Sequence, residues 1–355
     1  METKVQAIRA RMQEEKLDGL LITNGYNRRY VSGFTGSSGC CLVTEHAAEL
    51  ITDFRYIEQA NRQAPGFAII RHQTDMLETV VERAGTHSIK RLGFEKNHMT
   101  YALYQHLAEL SSGIELVPVA GLVEALRLVK TAEEVQIIKE AAAIADKAFA
   151  HILAYIKPGM TELAVANELD FYMRSLGAAG TSFDTIVASG VRSALPHGVA
   201  SDKVIESGEM VTLDFGAYYK GYCSDITRTI AVGEPGEKMR QIYEIVLRAQ
   251  LNGVAHIRAG LTGKEADALT RDIITEAGYG PNYGHSTGHG IGLEVHEGPT
   301  LSVRGEQALV PGMVVTIEPG IYLEGIGGVR IEDDVLLTAD GCEVLTSSPK
   351  ELLVI

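Results

Sequence analysis

The chain echoes itself. The segment IKPGMT at residues 156–161 returns as IRAGLT at 257–262, and each copy leads into a helical pattern that runs out near a glycine, Gly177 in one case and Gly278 in the other. Further on, GEMVTLDFG at 208–216 returns as GMVVTIEPG at 312–320, which sets Asp214 opposite Glu318. A single Gly-Met-Val-Thr fragment recurs easily by chance in Val-rich strands. Two echoes in the same order and at similar offsets point instead to a duplicated helix–helix–strand–strand unit. Two such units related by a pseudo-twofold axis bury one sheet under four helices. Corresponding carboxylates then face each other across the centre of that sheet.

At 355 residues the chain exceeds one small core, and two domains are expected. Residues 1–125 alternate apolar, strand-like runs (GLLIT, CCLVT, AELIT, FAII, RLGFE) with helical patterns (KVQAIRARMQEEK, YALYQHLAELSS). That alternation predicts an α/β domain with a largely central sheet. No group of His, Cys and carboxylates gathers there, so this part is assigned a scaffolding or substrate-rim role. Residues 126–355 hold the duplication and are read as an α+β domain. Their first segment is apolar at three- and four-residue spacing after Thr131, with Glu133 and Glu134 in the first turn, which predicts a long capped helix.

Charge and composition narrow the function classes. A net charge of −14 disfavours nucleic-acid binding, because the phosphate backbone rewards a basic face. No run of about eighteen apolar residues predicts a membrane span. The charged, amphipathic start, METKVQAIRARMQEEKLDG, lacks the apolar core of a secretion signal, and a cytoplasmic location is expected. Cys40, Cys41, Cys223 and Cys342 show no CxxC spacing and are read as reduced, buried small hydrophobes.

The chemistry concentrates in four segments. VTLDFGAYYKGYCSDITRT, residues 211–229, reads as two strands joined by a Gly and Tyr turn, yet Asp214 and Asp225 interrupt both arms. Aspartate is depleted in strands, since a short charged side chain is costly on a half-buried pleated surface. A lone strand Asp can cap a strand end or pair with an arginine such as Arg228. GHSTGHGIGLEVHEGP then brings His285, His289 and His296 among glycines that permit close backbone approach. VTIEPG carries Glu318, and GGVRIEDD carries Glu332 and Arg330 on one strand face. Four carboxylates cannot be buried together as bare anions, whereas two divalent cations neutralise them. A carboxylate-rich set with one histidine suits Mn²⁺ or Co²⁺ better than Zn²⁺, which is the alternative. Two such ions can share a bridging water, lower its pKa to make hydroxide and polarise a scissile carbonyl, the chemistry of amide hydrolysis.

The motifs LDFG, CSDITRT, GHGIGLEVHE, TIEPGIY and VRIED, in that order and spacing, resemble those of the pita-bread metallopeptidases of family M24. The additional amino-terminal α/β domain resembles the Xaa-Pro dipeptidase (prolidase) and aminopeptidase P branch. The resemblance implies a pita-bread catalytic domain at 126–355 with an internal pseudo-twofold duplication, behind a creatinase/prolidase-type domain at 1–125. It implies metal ligands Asp214, Asp225, His289, Glu318 and Glu332, with Asp225 and Glu332 bridging two ions, Asp214 on one, and His289 with Glu318 on the other. Glu318 is also implied as the proton shuttle, with His197 and His296 as catalytic and substrate-contacting histidines. His285 and Arg330 are implied as further substrate residues. The expected substrates are small proline-containing peptides, foremost Xaa-Pro dipeptides, and the expected assembly is a homodimer. Aminopeptidase P activity on longer peptides is the nearest alternative, and a non-catalytic binding protein on the same fold a more distant one.

Overall fold

Six strands organise the first unit of the chain, Met1–Arg127, in a computed structural model that describes residues 2–355. Strands β1 (Gly19–Ile22), β2 (Cys40–Thr44), β3 (Ala48–Thr52), β4 (Ala68–Arg71), β5 (Arg91–Glu95) and β6 (Glu115–Val119) lie in the order β4-β3-β2-β1-β5-β6. The sheet is mixed, with β1 antiparallel to β2 and parallel to β5. Around it run α1 (Glu2–Glu14), α2 (Gly25–Ser32), α3 (Ile57–Gln63), α4 (Met76–Thr86), α5 (Tyr101–Leu110) and α6 (Glu124–Arg127). The apolar runs of the sequence became β1 to β5. Strand β6 was hidden in it because ELVPV contains Pro118, a residue that strands tolerate at a sheet edge, which is where β6 lies. Helix α2 was hidden because it begins at a glycine and takes its start from the Asn24 side chain, which accepts the Tyr26 and Asn27 N–H groups at 2.8 and 3.1 Å.

The second unit, Leu128–Ile355, has two halves that share a pattern, a helix pair followed by a sheet and a hairpin. The first half runs α7 (Ala132–Tyr155), α8 (Glu162–Ser175), β7 (Gly180–Thr181), β8 (Ile186–Ser189), β9 (Glu209–Phe215), β10 (Ala217–Tyr219), β11 (Tyr222–Cys223) and β12 (Ile226–Val232). The second runs α9 (Glu237–His256), α10 (Gly263–Glu276), β13 (Gly288–Gly290), β14 (Glu297–Leu301), β15 (Val314–Ile317), β16 (Gly320–Leu323), β17 (Gly327–Arg330), β18 (Asp333–Leu337) and β19 (Cys342–Val344). Helix α7 opens on a capping box, Thr131 Oγ1 accepting from the Glu134 N–H while the Glu134 carboxylate accepts from the Thr131 N–H at 2.8 Å. The echoed hexapeptides have one backbone course. Ile156 and Ile257 end α7 and α9, Gly159 and Gly260 stand at φ 92° and 90°, and Thr161 and Thr262 cap α8 and α10.

Strand order repeats as well: β8-β9-β12 in the first half, β13-β15-β18 in the second. Val211, Leu213 and Phe215 of β9 pack into a core with Ile144, Phe149 and Ile152 of α7 and Val165, Leu169 and Met173 of α8. Val315 and Ile317 of β15 do the same against Ile257 and Ala266. Because side chains alternate along a strand, Thr212 and Asp214, and Thr316 and Glu318, face away from the helices. No helix among the described residues is long and apolar enough to cross a membrane.

Candidate metal centre

The pleat that buries the odd-numbered residues of β9 and β15 under helices delivers Asp214 and Glu318 to one place on the opposite face. Asp225 and Glu332 come from a second pair of equivalent positions, each in the short link between the return arm of a hairpin (β11 or β17) and the next long strand (β12 or β18). The halves meet here. The Glu332 N–H donates to the Thr227 carbonyl at 3.0 Å, and Thr229 Oγ1 both donates to the Arg330 carbonyl and accepts its N–H. The acids are therefore duplicated. The histidine is not, since the Thr316 hydroxyl accepts the His289 N–H at 3.1 Å while its counterpart Thr212 pairs across the strands with Ala188.

His289 is held with its metal-binding nitrogen outward. Its Nδ1 lies 3.1 Å from the Gly290 carbonyl, which takes the proton there and leaves Nε2 with a free lone pair. That Nε2 sits 3.3 Å from Glu318 Oε1 and 3.8 Å from Asp225 Oδ2. Burial, with His296 adding to it, pushes the His289 pKa down to about 4, so the ring is neutral at pH 7. The two flanking glycines are a steric requirement: a Cβ on Gly288 would lie 1.9 Å from the Thr316 carbonyl oxygen, and one on Gly290 1.8 Å from that of Gly298. Gly290→Ala is expected to cost about 2–3 kcal/mol of stability and to weaken divalent-ion binding, measured by denaturant unfolding and by titration calorimetry. Unchanged ion affinity would show that β13 can yield without moving His289.

The electrostatics ask for cations. Burial raises the pKa values of Asp225 and Glu332 well above the carboxylate range, with neighbouring carboxylates pushing the same way, and takes Glu318 up to about 8. Asp214 Oδ1, Asp225 Oδ1 and Glu332 Oε1 are buried without a hydrogen-bond partner among the described residues. An unpaired buried carboxylate oxygen is costly. Asp225, His289 and Glu332 each bring one donor atom within 4.8 Å of the others. Against four carboxylates stands, among the described residues, one contacting cation, Arg330, whose Nη2 is 2.5 Å from Asp214 Oδ2. The donor set fits divalent ions.

Residues 136–339 match metallopeptidase family M24, and residues 4–129 match the creatinase/prolidase N-terminal domain. The chain belongs to the M24 metallopeptidases. The solved structure of an Xaa-Pro dipeptidase from Bacillus anthracis superposes with a TM-score of 0.98 at 58% identity, covering 100% of this chain and 99% of that one. An Xaa-Pro dipeptidase of Pyrococcus horikoshii is 42% identical over 354 residues, 99% of each chain. The structure of an X-Pro aminopeptidase from Thermotoga maritima has a TM-score of 0.90 at 41% identity, covering 98% of this chain and 100% of that one.

Around the carboxylates of this M24 enzyme lies a cavity of ≈ 460 Å³ that also exposes His197, His285, His296 and Arg330, with Phe183, Ile186, Val199 and Val295 as apolar wall. His197 and His296 stand at its exposed edge, and the His296 ring meets His289 edge-on at 4.4 Å. His285 is engaged at both nitrogens, Nδ1 with the Ser286 carbonyl and Nε2 with the Tyr322 hydroxyl, each at 2.8 Å. Arg330 is engaged too. Its Nε donates to Thr227 Oγ1 at 3.1 Å, Nη1 to the Pro196 carbonyl at 3.2 Å and the Tyr322 hydroxyl at 2.7 Å, and Nη2 to Asp214. Burial opposes that cation, but Tyr322, Asp214 and the glutamates outweigh it and raise its pKa. Arg330 thus pairs with Asp214 rather than with Glu332 or Asp334, and Arg228 turns to the other face to meet Asp333 at 2.8 Å.

Several residues at the centre escaped the sequence reading. Thr227 donates to Glu332 at 2.5 Å, Thr316 to Glu318 at 3.2 Å, and Asp334 accepts the Asp225 N–H at 2.9 Å. Thr316 had a signal, the threonine shared by VTLD and VTIE. Tyr322 and Asp334 had none, because nothing local marks a residue whose partners lie on other strands.

Proposed function

We propose that this metallopeptidase cleaves the Xaa-Pro bond of dipeptides at a centre holding two divalent ions, Mn²⁺ or Co²⁺ in preference to Zn²⁺. The observation that carries this reading is a cluster of four carboxylates, three of them buried with an unpaired oxygen, in which Asp225, Glu318 and Glu332 gather around His289. Its catalytic domain is assigned to residues 126–355, with residues 1–125 as the accessory domain. Asp225 and Glu332 would bridge the ions, Asp214 would hold one, and His289 with Glu318 the other. When bound, such a pair supplies a water of lowered pKa and a Lewis acid for the scissile carbonyl.

The remaining steps belong to the chain's own side chains. Glu318, beside His289, is assigned the proton transfer: its carboxylate takes a proton from the attacking water and hands it to the prolyl nitrogen as that amine leaves. His296, with its pKa lowered by burial and by His197, offers a neutral N–H to the developing oxyanion, and His197 stands beside it at the cavity edge. The Arg330 cation neutralises Asp214 and, through Tyr322, locks the His285 ring against the cavity. Proline lacks an N–H and has a fixed φ, so the apolar wall selects it by shape. A cavity at the lower end of the ligand-pocket range suits a short peptide. A cytoplasmic homodimer is the proposed setting.

One observation favours aminopeptidase P as the second reading. Four of the five Arg330 N–H bonds are already given within the protein, which leaves little to grip the free carboxylate that a dipeptide presents. The deciding measurement is kcat/KM for Ala-Pro against Ala-Pro-Ala with saturating Mn²⁺. A dipeptide preference of about tenfold or more is expected; a clear preference for the tripeptide would move the assignment to the aminopeptidase and leave the metal chemistry standing.

A further inference from the structure

The His197 imidazole has no hydrogen bond to any described residue, so its place at the cavity edge is set by its backbone alone. That backbone belongs to the segment 190–201, which follows β8; Arg330 Nη1 holds its Pro196 carbonyl, the Gly328 N–H donates to Ser193 Oγ, Val199 bridges to Ile186, and one further side chain fastens both of its ends. Glu162, the first residue of α8, is fully buried. Its Oε1 accepts from the Ser189 N–H at 2.8 Å and Ser189 Oγ at 2.9 Å. Its Oε2 accepts from the Ser201 N–H at 3.1 Å, from Ser201 Oγ at 2.7 Å, and from Arg192 Nη1. Arg192 Nη2 then donates to the Val199 carbonyl at 2.9 Å, two residues past His197. One carboxylate with five hydrogen bonds therefore fastens both ends of the segment and, through Arg192, its middle.

Helix α8 does not need this group. Thr161 already caps it, accepting the Ala164 N–H at 3.1 Å. The duplication supplies an internal control, because the position equivalent to Glu162 at the start of α10 is Gly263, and that half folds into the same helix pair and strands. The architecture forms without the carboxylate. The half that has it is the half whose loop carries His197. We propose that Glu162, acting with Arg192 and Ser201, is a positioning residue that fixes His197 over the cavity. The inference rests on the substrate role proposed for His197, and the test separates the two.

Glu162→Gln turns one acceptor oxygen into a donor aimed at groups that are themselves donors. The experiment uses the Zn²⁺-loaded, histidine-labelled enzyme for NMR and the Mn²⁺-loaded enzyme for kinetics on Ala-Pro. In NMR, E162Q is expected to shift or broaden the His197 Cε1–H signal, assigned by its loss in H197A, while those of His46 and His151 stay in place. In kinetics, E162Q is expected to lower kcat/KM about tenfold in the wild-type background and less than about twofold in H197A, with bound metal unchanged. An unmoved His197 signal, or an equal loss in both backgrounds, overturns the positioning role. A moved signal with a kinetically silent H197A upholds the positioning and removes the substrate role of His197 instead. Should E162Q fail to fold, Ser201→Ala deletes one of the five bonds, and the same pattern is expected with a loss of about threefold.

Discussion

Replacing Asp225 by Asn is expected to lower kcat/KM for Ala-Pro by roughly 10³-fold or more, because the group removed would be shared by both ions of the centre. The physical argument is one of charge. Asp225 is among the most deeply buried of the acids, its Oδ1 has no partner within the protein, and its pKa is raised by burial and by Glu332, Asp214, Asp334 and Glu318. An amide of the same shape keeps the packing but carries no charge for a cation. Metal content measured by elemental analysis should therefore fall with the activity. His296→Ala should keep its metal, since His296 stands at the cavity edge and packs edge-on against the His289 ring without being one of the residues assigned to hold the ions. Normal metal in the first variant together with depleted metal in the second would reverse these assignments. In the unmutated enzyme a chelator should abolish hydrolysis and added Mn²⁺ or Co²⁺ restore it; full activity in a sample shown to be metal-free would end the metal reading altogether.

The second large effect is on stability against pH. In the metal-free protein Glu318 ionises near 8, against an ordinary value of 4.5. Between those limits the folded state keeps a proton that the unfolded chain has lost, so the stability this group contributes is complete below about 4.5 and is lost progressively as pH rises through about 8. Asp225 and Glu332 are raised in the same direction. The melting temperature of chelator-treated protein is expected to drop by roughly 5–10 °C between about pH 5 and about pH 8. Saturating Mn²⁺ should abolish the drop, because an ion stabilises the deprotonated acids and competes with protons for them. A melting temperature that holds level or climbs over that interval in chelator would mean that the acids are charged and paired in the metal-free fold.

How far each feature could be read from the chain depended on where its cause lies. The capped start of α7 follows from Thr131 and Glu134, three positions apart, and the five apolar runs that became β1 to β5 are local patterns as well. Strand β6 and helix α2 were invisible for the converse reason, since sheet-edge position and an Asn24 cap, not apolar periodicity, define them. The duplication was legible in two short echoes, which paired Asp214 with Glu318. It did not reveal the equivalence of Asp225 and Glu332, because the hairpins that precede them differ in length and sequence while their links to the next strand coincide.

By itself, then, the sequence determined the two-part organisation, the duplicated unit and the inventory of acids and histidines, all of which rest on periodicity, capping and motif order along the chain. The tertiary structure alone decided how that inventory divides. It showed that His289 presents Nε2 because the Gly290 carbonyl holds Nδ1, that Arg330 is bound to Asp214, Tyr322 and Thr227, and that His285 has both nitrogens engaged. It also left the His197 ring without a hydrogen bond to any described residue, on a segment whose two ends are fastened to Glu162. The physical reason is that hydrogen-bond capacity is finite and is filled by partners brought from distant strands. Whether a polar side chain remains available to a substrate is therefore settled only when the strands are paired and its neighbours are in place.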